Sequence, residues 1–133
     1  MKAVYLSLAF IAFVAGDDPV IKKDSVELAT TEEFAVESLN YPEDAPANLQ
    51  QEWILKAPKD HAVRLECHDI RLFEDKPCGA WALVITDGDK KEELCTSIFD
   101  FTKTSETNVL VLSLRIGGDS RGFVACKAKA VKK

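Results

Sequence analysis

Histidine is scarce in this 133-residue chain, with two copies, as are methionine, with one, and cysteine, with four. No cysteine stands in the close Cys-x-x-Cys pairs of a structural zinc site, and His61 and His68 add no partner pattern, so zinc is not expected. A phosphate-cradling glycine loop and a dinucleotide-binding fingerprint are both missing. Ser38, Ser97, Ser105, Ser113 and Ser120 lack the strand-to-helix turn that exposes a nucleophilic serine, and two histidines bracketing one strand do not make a general base. Catalysis is therefore not expected. No Asn-x-Ser/Thr sequon occurs, which sets N-glycans aside. Positive charge is not in excess either: the formal net charge is −5, which argues against a general nucleic-acid binder and against docking to an acidic membrane surface.

Long apolar runs are missing as well. A membrane-spanning helix needs about 20 consecutive apolar residues, and the one run of note, Ala3 to Val14, is shorter than that. It follows the basic start Met1-Lys2 and leads through Ala15-Gly16 into Asp17-Asp18, the layout of a secretory signal peptide over residues 1–16. Cleavage after Gly16 leaves Asp17 to Lys133, moves the net charge from −5 to −6 by loss of Lys2, and leaves enough chain for one domain. The polar end over residues 127–133 has no lipid-anchor pattern. The expected product is secreted and extracellular, without membrane insertion. In that oxidising setting an even number of cysteines means closed disulfides, so Cys67, Cys78, Cys95 and Cys126 are expected to form two bridges.

Residues 17–33 are charged and weakly patterned, and fit a flexible leader, a propeptide, or an edge strand through Val26-Glu27-Leu28; leader plus edge strand is the reading adopted. A proline-rich stretch from Asn40 to Pro46 opposes regular structure, because proline fixes φ and removes a backbone donor. Short strands are then predicted at Trp53–Leu55, Ala62–Cys67, Trp81–Ile85, Val109–Leu114 and Phe123–Ala128, with Lys90–Leu94 showing only mild helical preference. Turn residues separate them at Ala57-Pro58-Lys59-Asp60, Asp87-Gly88-Asp89 and Gly117-Gly118-Asp119-Ser120. Val63, Leu65 and Cys67 form an inward set with Arg64, Glu66 and His68 opposite. The fold class is all-β, an antiparallel β-sandwich.

The order of landmarks from Phe34 onward resembles the CUB domain family, extracellular jelly-roll-like sandwiches. Asn40-Tyr41-Pro42-Glu43-Asp44-Ala45-Pro46-Ala47-Asn48 followed by Trp53-Ile54-Leu55-Lys56-Ala57-Pro58 is similar to the family's opening, with Ala45 in place of a tyrosine and Gln51 in place of a cysteine. Cys78, Leu83, Ile85 and Asp87-Gly88 fit its middle, and Asn108-Val109-Leu110-Val111 with Arg121-Gly122-Phe123-Val124-Ala125 its close. The resemblance places the domain at residues 34–130 and implies the pairs Cys78–Cys95 and Cys67–Cys126. In the chain-entropy view those two closures contribute roughly 3 and 4 kcal/mol.

Many relatives hold calcium, which takes six to eight oxygens, on three loop carboxylates. By resemblance those positions fall here on Phe73, with Glu74 one place off, on Trp81 and on Gly117, so calcium is not expected and no other cofactor is. A displaced set of Glu74, Asp75 and Asp119 is the weaker alternative. Trp81, with Phe73 and Glu74, marks the candidate binding surface; Trp81 is read either as a core side chain of its strand or as an exposed anchor. The free-standing architecture resembles CUB proteins of arthropod venom and saliva and the spermadhesins. The implied function is a non-catalytic module recognising an extracellular protein or glycoprotein, with modulation or inhibition of an extracellular serine protease as the alternative.

Overall fold

The computed structural model describes residues 18–74 and 78–133; the expected signal peptide and Asp75 of the displaced calcium set lie outside these residues. Nine strands follow in order, β1 Val20–Glu27, β2 Phe34–Glu37, β3 Leu49–Lys56, β4 His61–Arg71, β5 Ala82–Asp87, β6 Lys90–Leu94, β7 Phe101–Thr104, β8 Val109–Arg115 and β9 Phe123–Lys132. They build two sheets, β1-β3-β8-β5-β6 and β2-β9-β4-β7. The all-β sandwich with two disulfides is thus the observed architecture, the bridges joining Cys67 to Cys126 and Cys78 to Cys95.

Alternation along the strands makes the core. Leu49, Trp53 and Leu55 of β3, Leu83 and Ile85 of β5, and Leu110, Leu112 and Leu114 of β8 are buried from one sheet. Val36 of β2, Val63, Leu65 and Ile70 of β4, and Val124, Ala128 and Ala130 of β9 meet them from the other. Each large aliphatic side chain so buried contributes about 1.5–3 kcal/mol. Cys67 and Cys126 are also buried and stand opposite each other in the β4–β9 ladder, their Cα atoms 3.9 Å apart. This bridge therefore clamps neighbouring strands of one sheet.

A bulge follows at once. The β4–β9 register shifts between Cys67 and Asp69, which inserts His68 and changes the phase of the alternation. Odd-numbered residues point inward up to Cys67; beyond the bulge Ile70 and Leu72 are buried, while Arg71 and Phe73 are exposed.

Several elements differ from the sequence reading. Residues 90–94 form a strand, not a helical turn: the two-residue turn Gly88-Asp89, with Gly88 at φ 64°, pairs them with β5 as a hairpin, and pairing overrides the weak helical preference of Lys and Glu. β2 and β7, each of 4 residues, escaped the pattern reading because so short a run shows almost no alternation. The expected edge strand is longer than Val26–Leu28 and pairs with β3 in parallel, against an otherwise antiparallel set of ladders. The chain leaves β1 for the opposite sheet as β2 and returns as β3, so neighbours in the sheet run the same way.

Two of the four buried polar side chains among the described residues, Gln51 and Asp87, hold loops to this frame. Gln51, at the position of the absent cysteine, accepts from the Leu39 amide at 2.9 Å and donates to the Glu37 carbonyl at 3.3 Å, tying the exit of β2 to β3. Asp87 accepts from the Glu106 amide at 2.7 Å, the Thr107 amide at 3.2 Å and the Thr107 hydroxyl at 2.7 Å. Burial pushes its pKa up, but the Glu106 amide, the Thr107 hydroxyl and amide, and the charge of Lys103 outweigh burial and leave it lowered. A carboxyl whose folded-state pKa lies below the unfolded value, near 3.9 for aspartate, stabilises above that value and loses the contribution as pH falls through the folded pKa. Urea unfolding of Asp87→Asn should show a loss of about 1–3 kcal/mol at pH 6 that shrinks as pH drops below about 4. A loss that stayed constant down to strong acid would refute this role.

Candidate functional site

Strand directions sort the connections into two ends. The turns over residues 28–33, 57–60, 88–89 and 105–108 lie at one end, and residues 38–48, 72–74, 78–81, 95–100 and 116–122 at the other. The first end is built of short turns, with Asp60 at φ 66° serving one of them. The second gathers Tyr41, Phe73, Trp81 and Phe99, together with Phe123 where β9 begins.

This loop end is braced by many short contacts. The Cys78–Cys95 bridge joins the β4–β5 loop to the segment after β6, and the Glu74 amide donates to the Cys95 carbonyl at 2.9 Å. Arg115 Nε donates to the Gly79 carbonyl at 2.8 Å. Between the β2–β3 and β8–β9 loops, Ser120 donates to the Ala45 carbonyl at 2.8 Å, the Gly122 amide to Asp44 at 3.1 Å, and the Asn48 amide to the Gly117 carbonyl at 2.8 Å. Surfaces held in this way lose little entropy on binding.

Trp81 lies just ahead of β5 and is half-buried. Its ring packs against the core, and its Nε1 donates to the Arg121 carbonyl at 3.3 Å. The side chain is thus neither wholly buried nor wholly exposed. Gly117 makes the seat: a Cβ there would stand 2.7 Å from the Trp81 ring. Above it the Arg121 guanidinium sits 5.1 Å from the Trp81 ring and 4.9 Å from the ring of Phe73. Phe73 is 45% exposed. Beside this stack the Arg71 guanidinium lies 5.4 Å from the Phe123 ring and 5.6 Å from Phe99, itself 60% exposed, and Tyr41 meets Phe123 edge-on at 5.4 Å. Gly122 packs closely against both groups: a Cβ at that position would stand 2.7 Å from the Arg71 carbonyl oxygen and 3.5 Å from Phe73.

Phe73, Trp81 and Gly117, the three positions that the resemblance assigns to calcium, do converge here, and none offers a side-chain oxygen. The Glu74 carboxylate is turned instead to the Ala80 amide. Among the described residues no three His, Cys, Asp or Glu side chains come together as metal ligands. Those residues do not fit an ion that asks for six to eight oxygens. Residues 118–122 also spell Gly-x-Ser-x-Gly, yet they form a loop between two strands, and Ser120 spends its hydroxyl on the Ala45 carbonyl.

Arg121 and Arg71 were not among the candidates from sequence. The Arg121-Gly122 pair carries no signal of its own, and 48 positions of chain separate Arg121 from Phe73.

Residues 22–125 match the family model for the CUB domain. This chain belongs to the CUB domain family. It is 54% identical to venom CUB domain-containing protein 2 of Platymeris rhadamanthus over 134 residues, covering 100% of both chains. Mouse ovochymase-2 is 28% identical over 100 residues, which is 71% of this chain and 16% of that protein. Among solved structures, the MASP-1 CUB2 domain bound to Ca2+ superposes with a TM-score of 0.64 at 21% identity, covering 79% of this chain and 98% of that one. The extracellular region of zebrafish Gpr126 gives 0.69 at 22% identity, covering 86% of this chain and 15% of that one. These structures share the CUB sandwich.

Gly117→Ala should expel the Trp81 ring. The expected readout is a red shift and easier iodide quenching of part of the tryptophan fluorescence, with the buried Trp53 signal unchanged. Unaltered quenching would show that the ring does not depend on this seat.

Proposed function

We propose that this CUB protein is a secreted, non-catalytic venom component that recognises an extracellular protein or glycoprotein through the loop end bearing Phe73, Trp81 and Arg121. The observation that carries the reading is an exposed cluster of rings and guanidinium groups on loops tied down by a disulfide and backbone hydrogen bonds. Aromatic and arginine side chains dominate the energetics of protein interfaces. Secretion is supported by the signal-peptide pattern of residues 1–16, and the venom assignment by a full-length relative carrying that name. A non-catalytic role accords with both disulfides engaging all four cysteines, and with His61 and His68 lying seven residues apart in one strand, roughly 20 Å by strand geometry. No helix among the described residues is long and apolar enough to cross a membrane.

Immobilised protein exposed to target-tissue extract should retain an extracellular protein or glycoprotein, and Phe73→Ser combined with Trp81→Ala should lose it while keeping both disulfides. Retention by the double variant equal to that of the parent would sink the assignment of the surface. Recognition is also proposed to be calcium-independent: calorimetry should show no calcium binding tighter than about millimolar, and a chelator should leave the melting temperature unchanged. Submillimolar binding would overturn this.

A further inference from the structure

Arg121 differs from most arginines of this protein. Arg64, Arg71 and Arg115 each face a carboxylate, on Glu66, Asp69 and Glu93 respectively. Arg121 is exposed, and among the described residues its guanidinium meets only the rings of Phe73 and Trp81. Rings attract a cation but offer its N–H groups no oxygen or nitrogen lone pair. Among the described residues no oxygen acceptor is bonded to the Arg121 guanidinium, and two rings flank it. Such a group is arranged to take a carboxylate by two parallel N–H···O bonds.

We propose that Arg121 reads a carboxylate on the partner, and that the site takes an acidic protein segment whose Asp or Glu is flanked by apolar residues. The inference rests on the reading of this loop end as the recognition face and adds the chemistry that the face selects. Charge complementarity points to the acid: among the described residues no carboxylate faces the Arg121 guanidinium, whereas Arg64, Arg71 and Arg115 are each paired. The surroundings point to a peptide. Phe73, Trp81, Gly117, Gly118 and Gly122 supply rings and bare backbone, and the Trp81 N–H is already engaged. A sugar would bring hydroxyls that need several polar partners, whereas apolar neighbours of an acid can lie on Phe73 and on Phe99. Pressing these rings against the ion pair also excludes water, which strengthens the attraction.

The test pans a random peptide display library on the full secreted protein, with a sulfated and sialylated glycan array run in parallel. Enriched peptides should share an Asp or Glu beside Leu, Ile or aromatic residues. A synthetic copy should bind about tenfold more weakly after its acid is changed to the amide, and about tenfold more weakly to Arg121→Gln, with Arg121→Lys recovering part of the loss. Each variant is first shown to melt with the parent. Peptides that lose binding on Phe73→Ser or Trp81→Ala but not on Arg121→Gln would refute carboxylate reading and keep the recognition face. Peptides indifferent to all three would remove both. No enriched peptide, or glycans bound in place of peptides, would overturn the proposal.

Discussion

The phase of the β4–β9 ladder governs what this protein can show to the outside. Both strands are held by burial of one face, and the Cys67–Cys126 bridge fixes their register at a single inward pair. An uninterrupted strand would carry the odd-numbered residues inward to its end, burying Arg71 and Phe73 and exposing Ile70 and Leu72. The bulge at His68 reverses that phase just past the bridge. Core and surface are thereby both satisfied: Ile70 and Leu72 join the hydrophobic interior, and Arg71 and Phe73 reach the loop end. The outward placement of Arg71 and Phe73, and with it the Phe73 side of the stack on Arg121, follows from this one extra residue.

The remaining structure stabilises what the bulge aims. The inner faces of two sheets supply the hydrophobic energy, and two buried polar side chains, Gln51 and Asp87, satisfy backbone groups that the turns leave open. At the loop end, Cys78–Cys95 and the crossing hydrogen bonds leave the rings little freedom. Each cation–ring contact at such an exposed place is worth about 0.5–1 kcal/mol, too small to create order. The contacts follow from a surface already shaped by the disulfide, Gly117 and Gly122.

The solved CUB structures share this sandwich. The MASP-1 CUB2 domain superposes over nearly its whole length and is bound to Ca2+. In the present chain a guanidinium and two rings meet at the loop end. Fold alone does not carry function, which resides in the side chains that a fold brings together.

The sequence by itself determined the class of fold and most of its strands. Wherever alternation ran for several residues, as in Val63-Arg64-Leu65-Glu66-Cys67 or Val109 to Leu114, burial of one face leaves a period of two that can be read directly. The resemblance carried the family, and the replacements at Phe73, Trp81 and Gly117 pointed to the region of interest. Where local signal was weak, tertiary structure decided. Lys90–Leu94 is a strand because β5 pairs with it, β1 runs parallel to β3 because the chain detours through the other sheet, and the phase reversal at His68 is visible only once β9 sets the register. Arg121 belongs beside Phe73 and Trp81 for the same reason: residues distant along the chain meet only when the ends of several strands are gathered, and no local pattern encodes that meeting.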